Sequence, residues 1–409
     1  MIKEKTLSNG LKVLYERLPH IRSVCMGVWV KAGSVNEAKQ SRGISHFIEH
    51  MLFKGTVNRT ARDIAGSFDD IGGHLNAFTG KELTCFYAKT LDEHFSLSTD
   101  ILSDMIKNSL YDVKMIHREQ KVVCEEIAMY NDSPEDYVHD RLCENMWRGH
   151  PLAHPVIGSK TTVRALDRES LLDYMGMYYR PDNMLFTVVG KFEEEIMLAD
   201  LEEKFNGING KNTERKTTVS YPSFYCTSNK YFKNIEQTYV SMAMEGLGYD
   251  SDDRHALVIA SNVLGGGMSS KLFQSAREDK GLVYSIGSMV ESYKGGGILN
   301  IYAGTNRQKL PRLMDCIKKE VDDIREKGLT EDELKKAKDQ IKGNLVLGLE
   351  NTDARMSSMA RGMLLRNEII DMKKLLDKIN KVTNEDILRV ARNAFNWDRK
   401  AISVLSIKK

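Results

Sequence analysis

The chain has 409 residues and a formal net charge of +2, with 41% hydrophobic and 28% charged residues. This near balance of charge argues against nucleic acid or an anionic membrane surface as the main partner. The length is too great for a single core and suggests two or three domains.

The N-terminus and the cysteines indicate the compartment. Residues 1–6 carry charges where a secretory signal would need an apolar run. No stretch approaches the roughly 18 apolar residues that a membrane span requires. The six cysteines are scattered and form no CxxC pair, which is typical of reduced, packed thiols. We therefore expect a cytoplasmic protein with no membrane segment.

The first half of the chain predicts strands followed by helices. Alternating residues over 6–15 predict a hairpin whose two-residue turn is Asn9–Gly10. The other predicted elements, in chain order, are a strand over 23–32, helices over 45–53 and 61–71, a strand pair over 74–78 and 83–90, helices over 93–107 and 113–130, a helix from about 134, and a strand over 183–189.

The pattern fails between about Asn206 and Pro222, where turn-forming and charged residues predict a linker. The predicted elements after it are a strand over 238–244, a helix over 253–264, a strand pair over 281–290 and 297–303, and helices over 308–326 and 330–349. Their order repeats that of the first half at a period of roughly 190 residues. We therefore predict two homologous domains, over 1–210 and 222–409.

A short motif in the first half carries the predicted chemistry. His46 and His50 are four residues apart, so on a helix both imidazoles lie on one face and can hold zinc. Glu49 lies beside His50 and can act as a proton carrier without binding the metal. The HxxEH spacing occurs in peptidases. The alternative is an exposed or capping His pair on an ordinary helix.

A catalytic zinc needs a third protein ligand and leaves its fourth position for water. Glu119 and Glu126 are seven residues apart on a predicted helix and therefore share a face, whereas Glu125 points elsewhere. Apolar neighbours along this helix argue for a buried role of the two carboxylates. The alternative for each is an ordinary solvated glutamate.

The segment from Gly43 to Thr56, GISHFIEHMLFKGT, resembles the active-site segment of the pitrilysin/insulinase-like family, and most closely its processing-peptidase branch. The segment EEIAMY over 125–130 is also similar to that family. In the family the third ligand is a glutamate 76 residues beyond the second histidine, and that position here is Glu126. A further acidic residue seven positions earlier corresponds to Glu119.

This resemblance implies the role of each residue. His46, His50 and Glu126 would bind one Zn²⁺ per chain, and Glu49 would be the base. Glu119 would orient a ligand histidine or tune the site. Peptide hydrolysis would then proceed by attack of metal-bound water, with no covalent intermediate.

The residues Asn76, Ala77, Phe78 and Thr79 are expected to bind substrate. They belong to a strand-like segment, and the resemblance makes that segment the edge strand beside the metal. A free edge can pair with an extended peptide through main-chain hydrogen bonds, and the Asn76 amide could contact the substrate backbone. The alternative is an ordinary strand pair.

The second half supplies two further candidates. A glycine-rich loop over 264–270 lacks the Walker pattern, so a phosphate loop is not expected. The resemblance implies that Arg277 and Tyr284, which follow this loop, hold substrate carbonyls or stabilise the oxyanion. The alternatives are a surface salt bridge for Arg277 and core packing for Tyr284.

The sequence thus predicts an α+β protein with two homologous domains, each a mostly antiparallel sheet covered by helices. The resemblance implies that they form half of a clam-like chamber, which a homodimer would complete. The predicted activity is that of a zinc-dependent metalloendopeptidase acting on short or unfolded polypeptides. Two competing hypotheses are a non-catalytic chamber or assembly subunit that binds peptides, and a metal-dependent hydrolase of non-peptide substrates.

Overall fold

The structure, a computed structural model, describes residues 1–208 and 222–408. Most of the predicted linker, 209–221, lies outside the described residues. The chain divides into two compact units. The first consists of 1–128, 155–208 and 347–370, and the second of 129–154, 222–346 and 371–408. No helix in the described ranges combines the length and apolarity that a membrane crossing requires.

The first unit is built on a six-stranded sheet. Its strands are β1 (Lys3–Thr6), β2 (Lys12–Arg17), β3 (Ser23–Val30), β4 (His74–Thr79), β5 (Thr84–Leu91) and β6 (Met184–Gly190). Their spatial order is β1-β2-β6-β3-β5-β4, and only the β2–β6 pair is parallel. Strand β4 therefore forms one edge of this sheet.

The second unit contains a five-stranded sheet with a closely similar order. Its strands are β7 (Thr227–Lys233), β8 (Thr238–Gly246), β9 (Val283–Tyr293), β10 (Gly296–Thr305) and β11 (Lys400–Ile407). The order β7-β11-β8-β10-β9 matches β2-β6-β3-β5-β4 strand for strand, including one parallel pair. The predicted internal repeat is therefore present in the topology, and the fold is α+β with mostly antiparallel sheets.

The helices follow these strands in the same repeated pattern. In chain order they are α1 (Ile44–Leu52), α2 (Ala61–Asp69), α3 (Phe95–Asn108), α4 (Val113–Asp132), α5 (Pro134–Met146), α6 (Lys160–Arg164), α7 (Arg168–Tyr178), α8 (Glu194–Phe205), α9 (Arg254–Gly265), α10 (Leu310–Lys327), α11 (Glu331–Gly348), α12 (Thr352–Arg366), α13 (Met372–Lys381) and α14 (Asn384–Ala394). The helices and strands predicted from the sequence are present within a few residues, whereas β7, β11, α6–α8 and α12–α14 are elements that the sequence patterns did not reveal.

Two helices are exchanged between the halves of the chain. Helix α5 packs on β8 and β11 of the second unit, and α12 packs on β3 and β6 of the first. The predicted domains, 1–210 and 222–409, would instead assign α5 to the first domain and α12 to the second. The physical reason lies in β3, which is buried on both faces, so its second face needs a cover that comes from a distant segment.

The first hairpin differs from the prediction in its turn. Strands β1 and β2 pair as expected, but Thr6 lies opposite Lys12, so the loop has five residues instead of two. Leu7 and Leu11 are both buried and close the loop through the hydrogen bond from the Leu7 amide to the Leu11 carbonyl, 2.9 Å. Burial of the two leucines accounts for the longer loop.

No disulfide joins the six cysteines, and all but Cys226 are buried.

Candidate metal centre

Helix α1 begins at a glycine that the local backbone requires. Gly43 has a φ of +92°, and a Cβ there would lie 2.7 Å from the carbonyl oxygen of Ile157. The Glu37 carboxylate accepts hydrogen bonds from the Gly43 and Ser45 amides at 2.7 and 2.9 Å. These bonds satisfy amides that have no partner within the helix. Burial raises the pKa of Glu37 to about 7, although the two amide bonds favour its ionised form.

The predicted histidines and Glu126 converge in the first unit. His46 Nε2 lies 3.7 Å from one carboxylate oxygen of Glu126, and His50 Nε2 lies 3.5 Å from the other. One ligand atom from each residue lies within 4.8 Å of the other two. Helix α1 supplies both imidazoles and α4 supplies the carboxylate. In the described ranges, no other group of three His, Cys, Asp or Glu side chains has this geometry.

The donor set fits a zinc ion. Ligand bonds of 2.0–2.1 Å in tetrahedral geometry place ligand atoms about 3.4 Å apart, close to the two distances above. Burial, together with the neighbouring His50, lowers the pKa of His46 to about 4, so this imidazole is neutral at pH 7. Neutral imidazole is the form that binds a metal. Two imidazoles and one carboxylate would leave a fourth position open, as in catalytic zinc sites.

Glu119 contacts the His50 ring at Nδ1, the nitrogen that does not face Glu126. Its side chain is 3% exposed, one oxygen lies 2.8 Å from His50 Nδ1, and the other lies 2.9 Å from Lys54 Nζ. Burial would raise the pKa of this carboxylate, but the bonds from His50 and Lys54 outweigh it and lower the pKa. An ionised Glu119 favours the tautomer of His50 with its proton on Nδ1, which leaves Nε2 available as a ligand.

The Glu49 side chain contacts the edge strand β4. Thr79 Oγ1, at the end of β4, donates to Glu49 Oε2 at 2.5 Å. Burial raises the pKa of the Glu49 carboxyl, and the bond from Thr79 opposes this rise. A carboxyl with a raised pKa is suited to accept and return a proton near neutral pH.

The predicted substrate strand is the free edge of its sheet. Helix α1 packs against β4, which pairs with β5 alone in the described part of the chain. The Ala77 amide donates to the side-chain oxygen of Asn76 at 2.8 Å, and Asn76 is exposed. The Phe78 ring packs edge-on against Trp29 and Tyr87, so its contacts are structural.

Arg277 and Tyr284 lie together in the second unit. The Arg277 guanidinium lies 5.4 Å from the centre of the Tyr284 ring and 4.7 Å from that of Phe273. Arg277 also lies 3.8 Å from the Glu278 carboxylate, at the limit of an ion pair. Tyr284 is 75% exposed on the edge strand β9, so core packing within this unit does not explain it. Their predicted action at the metal site stays a prediction.

Two residues around the site, Glu37 and Lys54, had no role predicted from the sequence. Thr79 was predicted to bind substrate, and its contact with Glu49 was not predicted. For Lys54 a signal existed, because it is a positive residue four positions after His50, just beyond the end of α1. For Glu37 the signal was weaker: an acidic residue shortly before a helix that starts after glycine.

Comparisons with known proteins place this site in a family. The sequence profile described as Insulinase (Peptidase family M16) matches residues 12–160, and the one described as Peptidase M16 inactive domain matches 165–341. The chain is 40% identical to the uncharacterized zinc protease YmxG of Bacillus subtilis, over 97% of each chain. The chain belongs to peptidase family M16.

This membership confirms the predicted insulinase-like family. The M16 profile over 12–160 contains the candidate ligands His46, His50 and Glu126 together with Glu49 and Glu119, whereas the inactive-domain profile contains Arg277 and Tyr284. A second relative, 33% identical over 99% of this chain and 89% of its own, is an uncharacterized zinc protease of Streptomyces coelicolor.

Solved structures share the M16 fold. A protease from Helicobacter pylori superposes with a TM-score of 0.91 at 22% identity, over 99% of each chain. A chain of complex III2 from Candida albicans gives 0.85 at 21% identity, over 99% of this chain and 96% of its own. At such identities the likeness concerns the fold alone, and it agrees with the predicted pair of homologous α+β domains.

Proposed function

We propose that this M16 protein is a zinc-dependent metalloendopeptidase that cleaves short or unfolded polypeptides. The observation that carries the proposal is the convergence of His46 Nε2, His50 Nε2 and the Glu126 carboxylate, with Glu49 on the same helix as the histidines. The names of the relatives support zinc as the metal.

Each group of residues at the site has its own proposed role in hydrolysis. His46, His50 and Glu126 would hold one zinc ion, which when bound supplies a Lewis acid for the peptide carbonyl and for water. Glu49 takes a proton from the attacking water and passes it to the leaving amine. Glu119 keeps the His50 ring in its ligand orientation through Nδ1.

The free edge of β4 is the proposed binding surface for an extended substrate. A peptide that adds a strand there gains main-chain hydrogen bonds independently of its sequence. The backbone of Asn76, Ala77, Phe78 and Thr79 would form these hydrogen bonds with it. Such binding requires an unfolded segment, which favours short or unfolded polypeptides over folded domains.

Arg277 and Tyr284 are proposed to assist by holding substrate carbonyls or the oxyanion. Replacement of Tyr284 by Phe removes one hydroxyl from an exposed side chain and should leave folding intact. We expect kcat to fall by about tenfold or more if the hydroxyl donates to the oxyanion. An unchanged kcat would remove Tyr284 from the mechanism.

The central experiment compares the wild-type protein with Glu49→Gln on an unstructured peptide library, with cleavage sites mapped by mass spectrometry. Glu49→Gln should retain about one zinc per chain and lose about 10²-fold or more of kcat, because the amide cannot accept the proton. Activity of the wild type should disappear on chelation and return with zinc. Wild-type activity in Glu49→Gln would refute the assigned role.

The alternative is a non-catalytic chamber or assembly subunit. The fold likeness to a chain of complex III2 gives this alternative its support, while the intact set of His46, Glu49, His50 and Glu126 favours the enzyme. A zinc-loaded protein that binds peptides but never cleaves them would support the alternative. Cleavage of esters without cleavage of peptides would instead favour a hydrolase of non-peptide substrates.

A homodimer and a cytoplasmic location also belong to the proposal. Size-exclusion chromatography with light scattering tests the first, and a monomer at micromolar concentration would contradict it. Cell fractionation tests the second.

A further inference from the structure

The contact between Thr79 and Glu49 joins the edge strand to the proposed base. Thr79 Oγ1 donates to Glu49 Oε2 at 2.5 Å, and both side chains are shielded in part from solvent. We propose that Thr79 is a positioning residue, whose hydroxyl fixes the Glu49 carboxylate in the orientation that proton transfer needs. This inference rests on the proposed peptidase activity. It gives Thr79 a role different from substrate binding.

The backbone on the Thr79 side of the contact is anchored. The turn after β4 is closed by the bond from the Gly80 amide to the Leu83 carbonyl, 2.8 Å. The Ser34 and Val35 amides then donate to the Gly80 and Lys81 carbonyls at 3.2 and 2.9 Å. The end of β4 is therefore tied to the segment 33–37, the clamp segment.

The clamp segment also requires its first residue to be glycine. A Cβ on Gly33 would lie 2.4 Å from the Gly80 carbonyl oxygen and 2.6 Å from that of Lys81. Contacts so close to backbone atoms cannot be relieved by a side-chain movement. The two segments therefore approach closely only because residue 33 has no side chain.

The same segment anchors the Glu49 side of the contact. Glu37, the last residue of the clamp segment, accepts the Gly43 and Ser45 amides at the start of α1. Glu49 lies on α1, and α1 packs against β4. One segment thus holds both the strand that carries Thr79 and the helix that carries Glu49. Such an arrangement fixes the distance between the two side chains before any substrate binds.

The chemical consequence concerns the two oxygens of Glu49. The Thr79 hydroxyl donates to Oε2, so it restricts rotation of the carboxylate and leaves Oε1 to receive a proton. Without the hydroxyl the carboxylate could rotate among several orientations, and fewer of them would suit transfer. Loss of a positioning contact lowers the rate of the chemical step, whereas loss of a substrate contact raises KM.

The test compares Thr79→Val with Thr79→Ser in the full-length zinc-loaded protein. Valine keeps the size and the branched Cβ and removes the hydroxyl; serine keeps the hydroxyl. We expect Thr79→Val to lower kcat about tenfold or more with KM changed less than about threefold, and Thr79→Ser to retain most of kcat. Thr90→Val serves as the matched control, because it removes a buried hydroxyl from the neighbouring strand β5 and should leave kcat unchanged.

Three further measurements require no turnover. Zinc content and melting temperature of Thr79→Val should match those of Thr90→Val. The affinity of the chelated, zinc-free protein for an uncleaved peptide should equal that of the wild type. If Thr79→Val does not fold, Thr79→Ala takes its place under the same criteria.

The outcomes separate this inference from the proposed function. If the wild type cleaves peptides and Thr79→Val raises KM while kcat is unchanged, Thr79 binds substrate and the inference is overturned. Equal kcat in Thr79→Val and the wild type overturns it as well, and so does an equal loss in Thr79→Ser and Thr79→Val. A wild type that never cleaves peptides contradicts the proposed function itself, whatever the variants do.

Discussion

Lys54 Nζ lies 2.9 Å from one carboxylate oxygen of Glu119, a side chain that is only 3% exposed. The other oxygen of Glu119 lies 2.8 Å from Nδ1 of His50. A buried carboxylate is costly unless both oxygens have partners, and Lys54 supplies the positive charge that keeps it ionised. The ammonium group therefore acts through Glu119 on His50, the proposed metal ligand.

Replacing Lys54 by Met should weaken zinc binding, although Lys54 lies outside the ligand set. Methionine keeps much of the side-chain length and removes the charge, so Glu119 loses one of its two partners. We expect the zinc dissociation constant to rise about tenfold, as is usual for residues that support metal ligands. Competition against a chromogenic chelator measures it, with Lys54→Arg as the charge-retaining control. Equal affinities in Lys54→Met and the wild type would refute this coupling.

Glu119→Gln should weaken zinc binding by about 10- to 100-fold, because a neutral amide stabilises the Nδ1 proton of His50 less than a carboxylate does. The double variant with Lys54→Met should lose little more than Glu119→Gln alone, since the two residues act in series. A double variant whose losses simply add would show that Lys54 and Glu119 act independently.

Zinc should stabilise the first unit, and this stabilisation should depend on Glu126 and not on the neighbouring Glu125. A ligand that binds only the folded state raises stability by about 4 kcal/mol at a concentration of 1,000 times its dissociation constant. Chelation should therefore lower the melting temperature of the wild type. Glu126→Gln should abolish this zinc-dependent shift, and the exposed Glu125→Gln should retain it. A full shift in Glu126→Gln would mean that the third ligand lies elsewhere.

Glu37 should contribute to stability through the two amides that it accepts at the start of α1. Glu37→Ala is expected to cost about 2 kcal/mol of unfolding free energy, because the Gly43 and Ser45 amides lose their acceptor. Urea unfolding at pH 5 is the measurement, because a folded-state pKa raised to about 7 means that the contribution of Glu37 to stability falls as the pH rises towards 7. The exposed Glu203→Ala is the control. A cost no larger than that of the control would show that this cap is dispensable.

A substitution in α12 should destabilise the first unit, although α12 lies far along the sequence. Met359 is buried in a cluster with Trp29 of β3, so Met359→Ala should cost about 2–5 kcal/mol. Urea unfolding followed by tryptophan fluorescence reports the change. Leu347→Ala, at a site 66% exposed, should change stability by less than about 0.5 kcal/mol. Similar effects of the two substitutions would show that α12 is not part of this core.

The histidine pair of the candidate metal centre was readable from the sequence because its information is local. The spacing of His46 and His50 fixes two imidazoles on one helix face, and the pair Glu119 and Glu126 shares a face for the same reason. Residue patterns alone left both glutamates open as the third ligand. The resemblance selected Glu126, whose carboxylate the structure places within 3.7 Å of both histidines.

Other features depended on contacts that periodicity does not encode. The first hairpin illustrates this, because Asn9–Gly10 favours a two-residue turn and burial of Leu7 and Leu11 imposed a longer loop. The bonds of Thr79 to Glu49 and of Glu37 to α1 join segments with no common local pattern. Such pairs are distant in the sequence, so their contacts become visible only in the packed structure.

What the sequence by itself determined was the pair of α+β domains and the chemistry of the HxxEH helix, since helical and strand periods are properties of neighbouring residues. Only the tertiary structure decided which helix covers which sheet. Strand β3 is buried on both faces, so Trp29 requires a cover that α12 supplies from more than 300 residues away. The periodicity of a helix predicts that one face is apolar, but it does not identify the surface against which that face packs.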